Sequence, residues 1–70
     1  IERSPHESLS DREYQVLCMI GSGKTVKQIA DELMLGAKTI STYRQRILEK
    51  MKMSSNAELI RYTILNRLVD

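Results

Sequence analysis

The segment from residue 37 to residue 51 carries hydrogen-bonding side chains on one side and apolar side chains on the other. If the segment is helical, Ser41, Thr42 and Gln45 share its polar side, because residues three and four apart lie on one helix face. Such hydroxyls and amides can meet base edges in a DNA groove, and a glutamine can form two hydrogen bonds to one adenine. No acidic residue interrupts this side before Glu49. The chemistry available to this face is therefore the recognition of nucleic acid bases.

Cations lie beside these polar side chains and could neutralise a phosphate backbone. Lys38, Arg46 and Lys50 flank the polar side of the segment and are suited to phosphate contacts. A second group, at the start of a preceding segment, comprises Lys24, Thr25 and Lys27. A helix that begins near Thr25 would also point free backbone N–H groups at a phosphate. We predict phosphate contacts from both groups.

The distribution of charge supports the same interpretation, although the net charge of +2 alone says little. Residues 24–52 carry a net charge of +4, whereas residues 1–23 carry −2 and residues 53–70 are neutral. A concentration of positive charge in the middle of the chain is typical of a protein with a polyanionic partner. On charge alone, a solvated helical surface fits equally well.

Length and composition argue against several classes of function. A domain of 70 residues buries about 60% of its unfolded surface, which leaves no room for a deep catalytic cavity. We find no nucleophile–base pair and no phosphate-cradling glycine loop, so we predict no catalytic residue, no enzyme and no cofactor. The single cysteine, Cys18, which we expect to be an inert core thiol, excludes a disulfide framework, and no histidine or cysteine cluster offers a metal site. With no run of about 18 apolar residues and no signal peptide, we expect a cytoplasmic protein without a membrane partner.

Three capping-box sequences mark the starts of helices. In such a box the hydroxyl oxygen of a serine or threonine accepts a hydrogen bond from the backbone N–H three residues later. The glutamate or glutamine at that later position accepts in turn from the backbone N–H of the serine or threonine. The three pairs are Ser10 with Glu13, Thr25 with Gln28, and Ser55 with Glu58. Glycines break the pattern between the first three predicted helices, and Gly36 can serve as an N-cap. The predicted helices span residues 11–21, 26–34, 37–51 and 56–68. No segment alternates with the period of a strand, so the predicted fold is all-α with four helices.

The second and third predicted helices form the pattern of a helix-turn-helix, in which a short helix, a brief break and a longer amphipathic helix follow each other. Ala30 is small, as is needed where two helices cross closely, and Ile40 and Ile47 offer an apolar anchor. Many helical bundles contain such a pair, so the pattern alone does not prove DNA binding. The alternative is a helical module that binds RNA polymerase or another regulator without reading DNA. Such a module would present apolar anchors on residues 38–50, where this chain is polar and cationic.

The fourth predicted helix carries more apolar surface than one packing face requires. Its core face is predicted to consist of Ala57, Ile60, Ile64 and Leu68. A second apolar set on the opposite side comprises Tyr62, Leu65 and Val69. Because exposed apolar patches usually mark an interface, we predict a homodimer through this second set. The alternatives are contact with a preceding domain and a frayed helix end.

Other residues are assigned structural roles. Arg44 lies inside the apolar arc of the third helix, so we expect its guanidinium to reach a carboxylate, with Glu13 as the candidate. The methionines are predicted to fill the core. Residues 1–8 are interpreted as the remnant of a linker, in which His6 is isolated and binds no ligand, and residues 9–70 as the domain.

Residues at fixed spacings over all four predicted helices match the pattern of a known family. They are Leu9-Ser10-Asp11-Arg12-Glu13, Val16-Leu17, Gly23-Lys24-Thr25, Ile29-Ala30, Leu33, Leu35, Lys38-Thr39-Ile40-Ser41-Thr42-Tyr43, Ile47, Lys50-Met51 and Asn56-Ala57-Glu58-Leu59. On these residues the chain, from Leu9 to about Leu68, resembles the LuxR/NarL/FixJ-type helix-turn-helix domain.

The resemblance implies sequence-specific binding of double-stranded DNA for transcription regulation. It implies that the third helix enters the major groove with Ser41, Thr42 and Gln45 facing the bases, and that the fourth helix forms a homodimer. It further implies the output domain of a response regulator in a two-component system. A receiver domain, or less often a ligand-sensing domain, would precede this domain, and RNA polymerase would be a further partner.

Two positions depart from the family pattern. Glycine stands at Gly36, where the family often has serine, and this costs roughly a few tenths of a kcal/mol at an N-cap. Tyrosine stands at Tyr43, where the family often has histidine. Because its phenol can pack inward and still bond a phosphate, we keep Tyr43 with Thr39 among the predicted phosphate contacts.

Overall fold

A computed structural model describes residues 4–69 of the chain. Four α-helices follow one another within these residues: α1 (Asp11–Gly21), α2 (Val26–Leu33), α3 (Ala37–Met51) and α4 (Asn56–Leu65). A short 3-10 helix, Pro5–Ser8, precedes them. The part of the chain that is described contains no strand, and the fold is the all-α arrangement expected from the sequence.

The helix α1 lies at the centre of the bundle and packs against α2, α3 and α4, while α3 also packs against α2. One apolar core joins all four helices. Its buried members are Val16, Leu17, Ile20, Ile29, Ala30, Ile40, Ile47, Leu48, Met51 and Leu59. Apolar residues at helical spacing on α2 and α3 thus hold the helix-turn-helix against α1.

The starts of α1 and α2 are fixed by complete capping boxes. Ser10 Oγ accepts from the Glu13 N–H at 3.2 Å, and the Glu13 carboxylate accepts from the Ser10 N–H at 2.8 Å. Thr25 and Gln28 form the same pair of bonds, at 3.1 and 2.8 Å. These reciprocal bonds satisfy donors that a helix start leaves free.

The predicted capping box of α4 is only half formed. Ser55 Oγ accepts from the Glu58 N–H at 3.3 Å. The Glu58 carboxylate, however, accepts from the N–H and the hydroxyl of Ser54 at 3.2 and 3.0 Å, not from Ser55. A second serine directly before the cap therefore competes for the carboxylate.

All four helices end with the same hydrogen bond: a backbone N–H just past the helix donates to the carbonyl five residues earlier. These bonds are Lys24 to Met19, Leu35 to Ala30, Met53 to Leu48, and Leu68 to Thr63. The residue before each donor has a left-handed backbone, and these residues are Gly23, Met34, Lys52 and Arg67. This geometry is the Schellman motif, which stops a helix and satisfies its last carbonyls.

Left-handed residues explain two differences from the predicted helix bounds. The helix α2 ends at Leu33, one residue early, because Met34 has φ 58°. The helix α4 ends at Leu65 and not at residue 68, because Arg67 has φ 55° and the Leu68 N–H turns back to the Thr63 carbonyl. As a consequence Met34 is 90% exposed, and the prediction that every methionine fills the core is wrong there.

The buried face of α4 also differs from the prediction. Leu59 and Thr63 are fully buried, whereas Ala57 is exposed and Ile64 is 58% exposed. Thr63 tolerates burial because its hydroxyl donates to the Ile60 carbonyl at 2.7 Å, which satisfies its polar group. The helix α1 approaches α4 closely at this point, and the approach depends on Gly21, where an added Cβ would lie under 3 Å from three atoms of Thr63.

The predicted linker is packed against the domain from Pro5 to Ser8. His6 Nδ1 shares a hydrogen bond of 2.7 Å with the Tyr62 hydroxyl on α4. Its ring centroid lies 5.7 Å from those of both Tyr14 and Tyr62, a separation at which aromatic rings attract. His6 is therefore not isolated, and the chain that leads into α1 is fastened to α4.

Candidate nucleic-acid interface

The helix α3 presents a polar face to solvent and an apolar face to the core. On the inner side Ile40 and Ile47 are fully buried and anchor the helix. The outer residues are all exposed, and they are Lys38, Thr39, Ser41, Thr42, Gln45, Arg46 and Glu49. The structure thus brings together the three predicted base-facing residues and the cations Lys38 and Arg46 on one surface.

Most side chains on this face form no hydrogen bond with the described part of the protein. Within residues 4–69 neither Gln45 nor Arg46 makes a side-chain hydrogen bond or ion pair. Thr42 is the exception, because its hydroxyl donates to the Lys38 carbonyl one turn earlier at 3.0 Å. The amide of Gln45 and the guanidinium of Arg46 keep their full hydrogen-bonding capacity for a partner.

Lys50 differs from the other predicted phosphate contacts, because it pairs with a buried carboxylate. Its Nζ lies 2.8 Å from Glu13 Oε1, and Glu13 is only 3% exposed. Burial alone would raise the pKa of Glu13, but the hydrogen bonds from Lys50 and from Ser10 outweigh it and hold the pKa below its ordinary value of 4.5. The ion pair between Lys50 and Glu13 therefore links the end of α3 to the start of α1.

The expected partner of Arg44 is thereby corrected. Arg44 donates to the Asn56 amide oxygen at 3.2 Å, at the start of α4. Glu13 is occupied by Lys50, so the predicted pairing of Arg44 with Glu13 is wrong. The structural role expected for Arg44 holds in a different form, as a link between α3 and α4.

The second group of predicted phosphate contacts lies at the start of α2. Thr25 is its N-cap, with the hydroxyl accepting from Gln28, so its backbone geometry is set by the capping box. Lys27 is exposed, while Lys24 forms an ion pair of 2.7 Å with Glu32. An exposed pair of this kind is weak, about 0–1 kcal/mol, and leaves Lys24 able to exchange Glu32 for another anion.

Tyr43 is half-buried and packs against the core, as expected for an inward-packing phenol.

Of the residues predicted for a dimer interface, Leu65 is 67% exposed, while Tyr62 and Val69 are half-buried. Ile64, which sequence reasoning placed in the core, is exposed next to Leu65. Its apolar character was visible in the sequence, but the misassigned period of α4 put it on the wrong face.

Two general features of the described chain complete the description of the site. Residues 4–69 hold no group of three or more histidine, cysteine, aspartate or glutamate side chains placed to bind a metal ion. Among the same residues, no helix combines the length and apolar character that crossing a membrane requires. Cys18 is partly buried, and its thiol points to the Leu68 carbonyl at 3.9 Å.

A helix-turn-helix whose second helix has an exposed, cationic outer face is typical of DNA-binding regulators. Residues 7–63 match the family model described as "Bacterial regulatory proteins, luxR family". Because the match covers most of the chain, the chain belongs to the luxR family of bacterial regulatory proteins. It is a DNA-binding domain that serves transcription regulation.

Several regulators are similar over nearly the whole chain. This chain is 42% identical over 66 residues, 94% of its length, to the "Transcriptional regulatory protein LiaR" of Bacillus subtilis. It is 43% identical over 67 residues, 96% of its length, to the "Response regulator GacA" of Pseudomonas aeruginosa. It is 39% identical over 61 residues, 87% of its length, to the "Response regulator UvrY" of Escherichia coli. The matched part spans 31%, 31% and 28% of these relatives, respectively.

Proposed function

We propose that this chain is the output domain of a response regulator and reads specific DNA sequences with α3 in the major groove. The observation that carries the proposal is the outer face of α3, where Gln45 and Arg46 are exposed and engaged by no other described side chain. An α-helix fits the width of the major groove, and its polar face then meets base edges. Names such as "Response regulator GacA" support the regulatory context.

The proposed contacts follow from the position of each side chain. Ser41, Thr42 and Gln45 face the bases, and the cations on both sides of them face phosphates. The phosphate contacts are Lys38, Thr39, Arg46, Tyr43 and, at the start of α2, Thr25 and Lys27. Lys24 and Lys50 contribute less, because a phosphate would have to share them with Glu32 and Glu13.

The remaining elements of the proposal concern partners. Ile64 and Leu65 are exposed apolar residues of α4, and Leu65 lines an open surface depression of about 220 Å³. A homodimer through this face would bury both side chains. A receiver or sensor domain is proposed to precede the chain in the whole protein, which is proposed to act in the cytoplasm. RNA polymerase is a proposed further partner. A purely protein-binding module is disfavoured because the exposed face of α3 lacks apolar anchors.

Binding should be measured by fluorescence anisotropy with a duplex enriched from a random pool and with a scrambled duplex, at several salt concentrations. Arg46→Ala is expected to weaken binding to both duplexes and to reduce the slope of log K against log salt by about one. Gln45→Ala is expected to reduce the preference between the duplexes while leaving the slope unchanged. Arg12→Ala, which removes an exposed arginine on α1, is the matched charge control.

The proposal fails if the folded wild-type chain binds neither duplex at low salt. It also fails in part if Arg12→Ala changes the slope as much as Arg46→Ala does, because charge would then act without regard to position. If neither duplex is bound, the polar face of α3 belongs to a protein partner.

A further inference from the structure

Thr42 stands in the middle of the outer face of α3, with Ser41 beside it and Gln45 one turn further on. It is exposed, but its hydroxyl hydrogen is engaged, because Oγ1 donates to the Lys38 carbonyl at 3.0 Å. A threonine hydroxyl has a single hydrogen to donate. What Thr42 offers to a partner is therefore its γ-methyl group and the remaining lone pair of the oxygen.

We infer that Thr42 recognises a 5-methylpyrimidine in the major groove through its γ-methyl group and not through its hydroxyl. The inference rests on the proposed function, since it requires α3 to lie in the major groove. Thymine displays its C5-methyl group there, and apolar side-chain atoms contact it. Thr42 is then a specificity-determining residue that favours a T·A pair at its position.

The balance of interactions favours the methyl contact over a hydroxyl contact. To donate to a base, the Thr42 hydroxyl must give up the Lys38 carbonyl, so one hydrogen bond replaces another with little net gain. The contact between two methyl groups replaces nothing within the protein and removes apolar surface from water. Burial of one methyl-sized group corresponds to about fourfold in affinity.

The residue beside Thr42 on the helix face strengthens the choice of base pair. Gln45 follows Thr42 by three residues and lies on the same face, and no described residue forms a hydrogen bond with its amide. A glutamine bonds adenine through N6 and N7. The two side chains together fit neighbouring pairs that contain thymine and adenine. The donor and acceptor of the Gln45 amide match N7 and N6 of adenine, whereas guanine offers two acceptors and leaves the amide oxygen without a partner.

Two bases can present a C5-methyl group to Thr42, namely thymine and 5-methylcytosine. Duplexes with substituted bases distinguish between them. The test begins with a random duplex pool enriched by repeated binding to the 70-residue chain. Each thymine of the enriched site is then replaced by uracil, which removes only the C5-methyl group. At the position where uracil weakens binding, C·G and 5-methyl-C·G pairs are also inserted. Anisotropy is measured for the wild type, Thr42→Ser and Thr42→Val.

Wild type is expected to bind about fourfold more weakly when one particular thymine becomes uracil, and other thymines serve as internal controls. Thr42→Ser, which keeps the hydroxyl and lacks the methyl group, is expected to lose about fourfold on thymine and to be indifferent to uracil. Thr42→Val, which keeps methyl groups and lacks the hydroxyl, is expected to retain the wild-type discrimination. A preference for 5-methyl-C·G over C·G would show that the methyl group itself is recognised. Its absence would restrict the contact to thymine.

The result that overturns the inference is a Thr42→Val variant that loses discrimination while Thr42→Ser keeps it, because the hydroxyl would then be the reading group. The inference would also be overturned if the wild type and both variants lost the same affinity on uracil. The same holds if uracil weakened the binding of none of the three proteins at any position. In both cases the enriched pool and the salt dependence still establish DNA binding, so the failure concerns Thr42 alone. A pool that does not enrich at all contradicts the proposed function itself, and the inference with it.

Discussion

Glu13 shows how a single side chain can serve two parts of this fold. Its carboxylate caps α1 through the Ser10 N–H and accepts from Lys50 at the end of α3, while being almost fully buried. A buried carboxylate is costly unless it is hydrogen-bonded and paired. The two bonds lower its pKa below 4.5 despite burial, so the ionised form is favoured in the folded state.

Replacing Lys50 by methionine is expected to destabilise the domain by about 1–2 kcal/mol at pH 7, less than for a deeply buried pair, because Lys50 is partly exposed. The folded-state pKa of Glu13 lies below its unfolded value, so the pair stabilises the fold above about pH 4.5 and ceases to do so as pH falls through the lower folded value. The difference between wild type and variant should therefore shrink below pH 4.5. Thermal unfolding from pH 3 to pH 8 measures it.

Lys27→Met is the matched control for Lys50→Met, since Lys27 is exposed. It should change stability by no more than about 0.5 kcal/mol at any pH. A Lys50→Met penalty that stays constant down to pH 3 would contradict the account, because it would then come from packing and not from charge.

Residue-scale roles could be predicted only where the signal is local. Ser10 and Glu13 are three residues apart, and their capping box was readable from the sequence. Glu13 and Lys50 are 37 residues apart, so several cations could have been the partner and the wrong one, Arg44, was chosen. The contact of His6 with Tyr62, across 56 positions, was missed for the same reason.

At the scale of the elements, the crossing of α1 and α4 depends on the missing side chain of Gly21. Gly21→Ala is expected to destabilise the fold by about 1–3 kcal/mol, because its Cβ would overlap Thr63. Urea unfolding measures the change. Adding Thr63→Ala should recover part of the loss relative to the sum of the two single variants. Strictly additive effects would show that the two residues do not share this contact.

The ends of the helices provide a second prediction. Met34 is 90% exposed and left-handed, a backbone conformation that costs a side-chain-bearing residue about 1–2 kcal/mol. Met34→Gly is therefore expected to stabilise the domain by about 0.5–1 kcal/mol, after the greater flexibility of an unfolded glycine is subtracted. Gly23→Ala, at φ 90°, is expected to do the reverse. Thermal unfolding that shows Met34→Gly to be destabilising would contradict this reading of the helix end.

The elements were predictable to different degrees for one physical reason. Helix starts carry their signal in the capping residue, and α1 and α3 begin after Ser10 and Gly36 as expected. Three of the four helix ends lack a glycine at the left-handed position, so α4 was predicted three residues too long. Its buried Thr63 and exposed Ile64 invert the usual rule that apolar residues lie inside.

For the whole molecule, the apolar pair Ile64 and Leu65 is the surface that most requires a partner. If two copies pair through α4, Leu65→Lys should prevent concentration-dependent dimerisation and weaken binding to a duplex with two half-sites. Binding to a single half-site should be unchanged. Sedimentation equilibrium and anisotropy measure the two effects, and Ala57→Lys, at an exposed position on the same helix, is the control. A wild-type chain that stays monomeric on two-site DNA would contradict the dimer.

The polar face of α3 was predicted from the sequence, since helical period alone separates Ser41 and Gln45 from Ile40 and Ile47. Which of its hydroxyls is free could not be read from the sequence. The bond from Thr42 to Lys38 depends on a rotamer choice that a hydroxyl residue in a helix makes in its folded context. The engagement of Lys50 likewise appears only when α1 and α3 are packed together.

The central claim, that the outer face of α3 binds DNA, is tested most directly by amide chemical shifts of the 15N-labelled chain titrated with the enriched duplex. If α3 lies in the groove, the largest saturable changes are expected on residues 38–46, with a second group around Thr25 at the start of α2. Changes confined to α4, or none in a chain that remains folded, would contradict it.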